Sequence, residues 1–359
     1  MTTDTIDLEQ AAEEQMGRLV SDLASGLEIM LFSLGTRSGL WSALAGAGPL
    51  TSDDVAAKVA VDRALVREWL RSQAAGGYLE YDADNDTFAL PEAGAAVFAD
   101  GPGGPLVEAC LDMVRSMAGC YEDFSAAFSS GQGFGWHQRS HQHWHGTDGF
   151  TRIALPDELV AAAIDQLPGV PEALDAGGSV LDVGCGYGTP TLSIAGLYPR
   201  AQVVGVDYHD ASIMHARDAA ATAGAANVRF EVAPADAIPG AGYALVTFFD
   251  SLHDIGDPRG ALVSARRALA QDGVVLLFEP LGADSVAENL NPNGRMFYAI
   301  STLACTPNAV SQRTATSSEP LGAQAGERAL REVAAEAGFT RVRRLDLPAP
   351  LNLVLELRP

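Results

Sequence analysis

The sequence predicts an α/β protein, a seven-stranded doubly wound sheet in its C-terminal half preceded by a mostly helical winged-helix domain. Three observations carry this. After Gly177 the chain alternates short apolar runs with helical segments (SVLDVGC, AQVVGVD, NVRFEVA, YALVTFFDSL, GVVLLFEP), the pattern of parallel strands joined by crossover helices. The runs RVRRLDL and LNLVLELR close the chain with only a short link, which predicts an antiparallel addition at the sheet edge. Upstream, residues 50–94 read as helix, helix and hairpin.

The elements follow in order. Met16, Leu19, Val20, Leu23, Leu27, Met30, Leu31 and Leu34 recur at helical spacing within residues 9–47, predicting amphipathic helices that bury one face. Thr51 or Ser52 followed by acids starts the next helix, 61–75 forms another, and GYLEYDADNDTFAL gives two strands around an acidic turn. A helical pattern resumes from Pro105 to about Ser130, then comes a glycine-rich stretch holding four of the seven histidines, then a helix near 156–167. The last helix is ERALREVAAEAGF. The expected domains are 1–105 (winged helix), 106–165 (helical linker and lid) and 166–359 (sheet).

Bulk composition narrows the function. With 359 residues, 47% hydrophobic and 19% charged, the chain suits two folded units with their own cores. Its formal charge of −23 disfavours nucleic acid, which needs clustered Lys and Arg. Arg63, Arg67 and Arg71 do fall at i, i+4 and i+8 on a winged-helix segment, yet residues 1–105 hold 17 acidic and 6 basic side chains. Pairing of these arginines with nearby acids or a partner subunit is therefore the preferred reading. The acidic N-terminus does not resemble an export signal, and the apolar segment 23–48 is broken by Glu28 and Arg37, so packed helices are expected there instead of a membrane span. Four scattered cysteines without CxxC spacing predict no disulfide framework and fit a reducing cytoplasm.

The sharpest motif is VLDVGCGYGTPTLSIA, residues 180–195: a strand, a glycine turn and a helix. Gly184 and Gly186 let a ligand approach the backbone. A dinucleotide fingerprint needs a third glycine where this chain has Thr189, so that class is weakened. Carboxylates surround the turn: Asp182 in the strand, Asp207 closing VVGVDYHD where it can accept from two ribose hydroxyls, and Asp236 in APADAIP, placed for an adenine amino group. Such a ring repels pyrophosphate but tolerates a cationic sulfonium, as in S-adenosylmethionine.

The ordered motifs LDVGCGYG, GVDYHD, APADAIP and FFDSLHDIGDPRGALVSARRALAQDGVVLLFEP resemble the class I S-adenosylmethionine-dependent methyltransferases, which share a Rossmann-like seven-stranded sheet. With its winged-helix start the whole chain resembles mycobacterial and actinobacterial small-molecule methyltransferases. The resemblance implies a homodimer formed through the N-terminal helices and a small-molecule acceptor. It implies methionine contacts from Asp182, Gly184, Cys185 and Gly186, ribose contacts from Asp207 with Tyr208 beside it, adenine contacts from Asp236 and Ala237, and Asp250 at the cofactor's near edge. His253 matches the His-Asp pair that such enzymes use as a general base; packing or a place beside the cofactor is the competing role. A ligand-sensing transcription regulator that binds the cofactor without turnover is the alternative function.

WHQRSHQHWH, residues 136–145, stays open between metal ligation, pocket lining and a polar loop. His137 and His141 would share a helix face, whereas His141, His143 and His145 would share a strand face. The expectation adopted is pocket lining, with Trp136, His137 and His141 toward the acceptor and no metal. In the insertion after the fifth strand, Asn291, Arg295 and Tyr298 are candidate acceptor contacts, with helix packing as the alternative.

Overall fold

The computed structural model describes residues 8–99, 101 and 103–359, in two compact units that divide at Asp112/Met113, within the helix Gly103–Gly119. In the first unit, Ser52–Lys58 begins with a capping box in which Thr51 and Asp54 exchange hydrogen bonds, and Asp62 caps Arg63–Ala75. The wing is the antiparallel pair β1 (Glu80–Asp82) and β2 (Thr87–Ala89). Trp41, Trp69, Phe32, Leu44 and Leu70 form the core, and Gly35 is small because a Cβ there would lie 2.5 Å from the Trp41 indole nitrogen. Arg63 pairs with Asp53, while Arg71 and Arg67 reach Glu68 at 3.1 and 3.5 Å, so these arginines meet nearby acids.

The first helical stretch departs from expectation. It is one helix, Leu8–Arg37, and its apolar stripe is not buried within the chain: Met16, Leu19, Val20, Leu23, Leu27 and Leu34 are each more than half exposed. Only Phe32, Ser33 and Gly35 are buried, because the core of the unit is met by the last turns alone. By length and composition this helix is apolar enough to cross a membrane.

The second unit is built on a sheet of seven strands: β3 (Ser179–Val183), β4 (Gln202–Asp207), β5 (Val228–Val232), β6 (Tyr243–Phe249), β7 (Leu269–Pro280), β8 (Arg341–Arg344) and β9 (Asn352–Arg358), in the order β5-β4-β3-β6-β7-β9-β8. The pairs from β5 to β7 are parallel, and β9 runs antiparallel between β7 and β8. The predicted antiparallel addition is therefore present, with the last strand inserted and β8 outermost. Strict alternation explains why both faces are dry: Val274, Leu276 and Phe278 pack against helices 157–165 and 170–175, while Val275 and Leu277 pack against 258–268 and 326–336. The chain order reverses between β3 and β6, and the loops at the carboxyl ends of those strands open a crevice there.

Candidate active site

A cavity of about 530 Å³ lies at this edge of the second unit. Its floor is the turn after β3. Gly184 has φ of 72° and faces Ser251, where a Cβ would come within 2.7 Å; Gly188 has φ of 83° and faces Phe230 at the same 2.7 Å. Thr189 thus opens a helix, Thr189–Leu197, where a dinucleotide fold would place its third glycine.

The carboxylates are held individually. Asp182 accepts from Thr191 Oγ1 at 2.6 Å and from Thr247 Oγ1 at 2.9 Å, and its burial pushes its pKa up to about 6 despite both hydroxyls. Asp207 accepts the Gly186 and His209 backbone N–H groups at 3.0 and 2.9 Å, which oppose the rise that burial imposes. Asp250 has φ of 48°, a strained conformation for a non-glycine residue, and accepts from Asn352 Nδ2 at 2.8 Å. Burial, then the neighbouring Glu279, pushes its pKa up to about 7.

His253 lies on the 3₁₀ turn Leu252–Asp254 and is buried. Its Nδ1 is 2.7 Å from Glu279 Oε2, and the other Glu279 oxygen accepts the Leu252 N–H at 2.9 Å. Burial alone would lower this imidazole's pKa, but the carboxylates of Glu279 and Asp254 outweigh it and raise the pKa well above the ordinary value.

The histidine stretch resolves into two elements. Trp136–Gln138 is a 3₁₀ turn, and His141 opens the helix His141–Ala154, so His137 and His141 share no helix face and the strand alternative is overturned. The stretch is pinned where Trp136 N–H meets Asn308 Oδ1 at 2.8 Å and Tyr208 Oη at 3.2 Å. His143 is buried beside Trp136, and burial followed by Arg139 lowers its pKa to about 3, so it is neutral throughout the physiological range. Its Nδ1 has no hydrogen-bond partner among the described residues.

Of the sequence-derived candidates, Asp182, Gly184, Cys185, Gly186, Asp207 and Tyr208 line the cavity. So do Asp236, Asp250, His253 and Trp136. Ala237, His137, His141, Arg295 and Tyr298 do not. Ala237 N–H is spent on Pro234 O at 3.1 Å, and His137 and His141 point to solvent. On Pro292–Ile300 the cavity-facing residues are Phe297 and Ile300, while Arg295 is exposed and Tyr298 Oη meets Asn289 at 3.4 Å. Residues missed by the sequence reading are His143, Glu279 as a partner of His253, Asn352 and Cys305. A carboxylate ending the otherwise apolar run GVVLLFEP was a signal for Glu279, and the histidine stretch itself marked His143; nothing marked Asn352 or Cys305.

Cys305 reaches the cavity through a backbone irregularity. Pro307 has no N–H, so the Leu303 carbonyl lacks its helical partner, and Arg139 Nη2 donates to it at 2.9 Å. The chain answers with a π-helical turn, Ser301–Cys305.

Residues 174–337 match the family model described as a methyltransferase domain, and residues 25–99 match that of the Rv2258c-like winged HTH domain. The chain joins a winged-helix domain to a methyltransferase domain. Mitomycin 7-O-methyltransferase MmcR is 17% identical, with TM-score 0.64 over 98% of this chain and 100% of that one. Human N-acetylserotonin methyltransferase, solved with SAM, is 16% identical, with TM-score 0.63 over 99% of each chain. CalO1, a methyltransferase in calicheamicin biosynthesis solved with SAH, is 18% identical, with TM-score 0.62 over 98% of this chain and 99% of that one. No curated protein matches the sequence.

The buried Asp182 of the methyltransferase domain has a measurable cost. An acid whose folded pKa exceeds its ordinary 3.8 stabilises the fold when protonated, and that contribution is lost as pH rises from about 4 to about 6. Asp182→Asn cannot ionise, so it is expected to unfold at higher denaturant than the parent at pH 8, by up to about 3 kcal/mol. At pH 4 the two should coincide, as followed by circular dichroism.

Proposed function

We propose that the protein transfers a methyl group from S-adenosylmethionine to a hydroxyl of a small, largely apolar acceptor. The observation that carries this reading is that the glycine turn with its carboxylates and His253, backed by the buried Glu279, line one cavity. The SAM and SAH held by the human enzyme and CalO1 support the same cofactor here. Asp182, Asp207, Asp236 and Asp250 favour a cationic sulfonium, and loss of that charge on transfer weakens the hold on the product. Asp207 is the group for the ribose hydroxyls, and Asp236 for the adenine edge.

Residues 106–165 act as linker and lid, with Met113, Trp136, His143, Trp144 and Phe150 from this segment lining the cavity. Together with Phe297 and Ile300 they suit an aromatic or apolar acceptor. Methyl transfer is an in-line displacement: the acceptor oxygen forms a bond to the methyl carbon, the carbon–sulfur bond breaks toward sulfur, and the hydroxyl proton must leave. Only in its neutral form, with the Nδ1 hydrogen given to Glu279, does His253 leave Nε2 free to take that proton, and Glu279 and Asp254, by raising its pKa, move that form to higher pH. Reduced thiols at Cys110, Cys120, Cys185 and Cys305 suit a cytoplasmic setting.

Calorimetric titration with S-adenosylhomocysteine tests the cofactor. Asp207→Ala should weaken binding at least about 100-fold, or about 3 kcal/mol, for two hydrogen bonds to a charged acceptor. Unchanged affinity contradicts the assignment. With labelled S-adenosylmethionine and an acceptor panel, His253→Ala should lower kcat about 100-fold or more while cofactor affinity holds. Salt-sensitive duplex binding with no turnover across the panel would point instead to a transcription regulator.

The exposed stripe on Leu8–Arg37 supports a homodimer, in which a second copy covers Leu19, Leu23 and Leu27. Light scattering should give the mass of two chains, and Leu23→Glu with Leu27→Glu should give one with helicity retained. A parent chain that is monomeric, or that floats with lipid vesicles, contradicts this.

A further inference from the structure

His253, the proton-removing group of the proposed reaction, also belongs to a second arrangement that brings in two side chains methyl transfer does not require. His253, Asp254 and Cys305 each present one donor atom to the others, and these atoms all lie within 4.8 Å of one another. All three residues line the cavity. We propose that His253 Nε2, the Asp254 carboxylate and Cys305 Sγ bind a divalent transition-metal ion whose remaining coordination position faces the cavity.

The donor set points to the kind of ion. Imidazole with thiolate suits Zn²⁺, Fe²⁺ or Co²⁺, whereas Mg²⁺ and Ca²⁺ favour oxygen alone. Three protein ligands plus one open position is the pattern of a reactive zinc site, as opposed to a closed structural one. Bonds of about 2.0–2.3 Å require the donors to draw together to roughly 3.5 Å, a shift of about an ångström.

Four further observations support the site. His253 is held as metal-bound histidines are, its second ring nitrogen 2.7 Å from a carboxylate that is itself fixed by the Leu252 N–H. Asp254 Oδ1 is buried without a hydrogen-bond partner among the described residues, since His253 Nε2, though 3.4 Å away, is poorly aligned with it. The Asp254 backbone is anchored from the other side, its carbonyl accepting from Gln312 Nε2 at 3.0 Å and Asn308 Nδ2 at 3.3 Å. Finally, Cys305 is delivered by the π-helical turn, an irregularity that occurs preferentially at functional sites.

In the loaded protein Nε2 is a metal ligand and no longer takes the acceptor's proton. Occupancy of the site stands independently of methyl transfer. Turnover by chelator-treated protein is measured separately and reports only on the function proposed above.

The test is titration of the tag-free, EDTA-treated chain with Co²⁺. One ion per chain is expected, with a thiolate-to-cobalt charge-transfer band in the near ultraviolet that Zn²⁺ abolishes by displacement. Cys305→Ser should remove the band, and Glu279→Gln should weaken binding about 10–100-fold through the histidine it supports. The exposed His141 and His145, one helical turn apart, are the adventitious competitor, so His141→Ala with His145→Ala should leave the band unchanged. No band from the folded parent at saturating Co²⁺ overturns the proposal. So does binding that survives Cys305→Ser but is lost with the two surface histidines.

Discussion

Asp182 is an acid set into an apolar strand, and much of the site is organised around keeping it there. It is bound by a hydroxyl from the helix after the glycine turn and by one from β6, the neighbouring strand. Those two bonds tie β3, the helix Thr189–Leu197 and β6 together at the point where the chain order reverses. Gly184 can then lie against Ser251 with nothing but hydrogen on its Cα, and Ser251 Oγ in turn donates to the Val183 carbonyl at 2.7 Å. Burying this carboxylate costs stability, a cost typical of residues retained for binding.

The same economy recurs along the sheet edge. Asp207 is held by backbone N–H groups, Asp250 by Asn352 and His253 by Glu279, so these three groups in the crevice have each been given a fixed direction. Strands β3, β4 and β7 supply Asp182, Asp207 and Glu279, and the turns after β3 and β6 supply Gly184, Asp250 and His253. Placing the groups on rigid strand ends gives them precision, while the covering wall comes from helices whose apolar residues face the cavity.

Much of this was legible in the sequence because it depends on local pattern. Apolar runs with period-two burial gave the strands, and the turn glycines and Asp207 follow from strand–turn–helix order. The stripe on Leu8–Arg37 was read as helical with one face buried; the helix is present and its stripe is exposed in the single chain, since periodicity reports an apolar face and not what covers it. The histidine stretch failed for a related reason. Whether it is helix or strand is decided by Trp136 bonding Asn308, a contact spanning 172 positions that no local rule contains. That register turns His143 inward and His141 outward. Cys305 was equally hidden, because its approach depends on a π-helical turn set by Pro307.

The account rests on one spatial claim: that the sulfonium and the imidazole of His253 meet across a single cavity. A crystal structure of the chain with S-adenosylhomocysteine measures this directly. The account predicts the ribose hydroxyls on Asp207 and the sulfur turned so that an acceptor oxygen, about 3 Å from the missing methyl, also lies within hydrogen-bond reach of His253 Nε2. A cofactor bound elsewhere, or a sulfur whose open side faces away from His253, would contradict it.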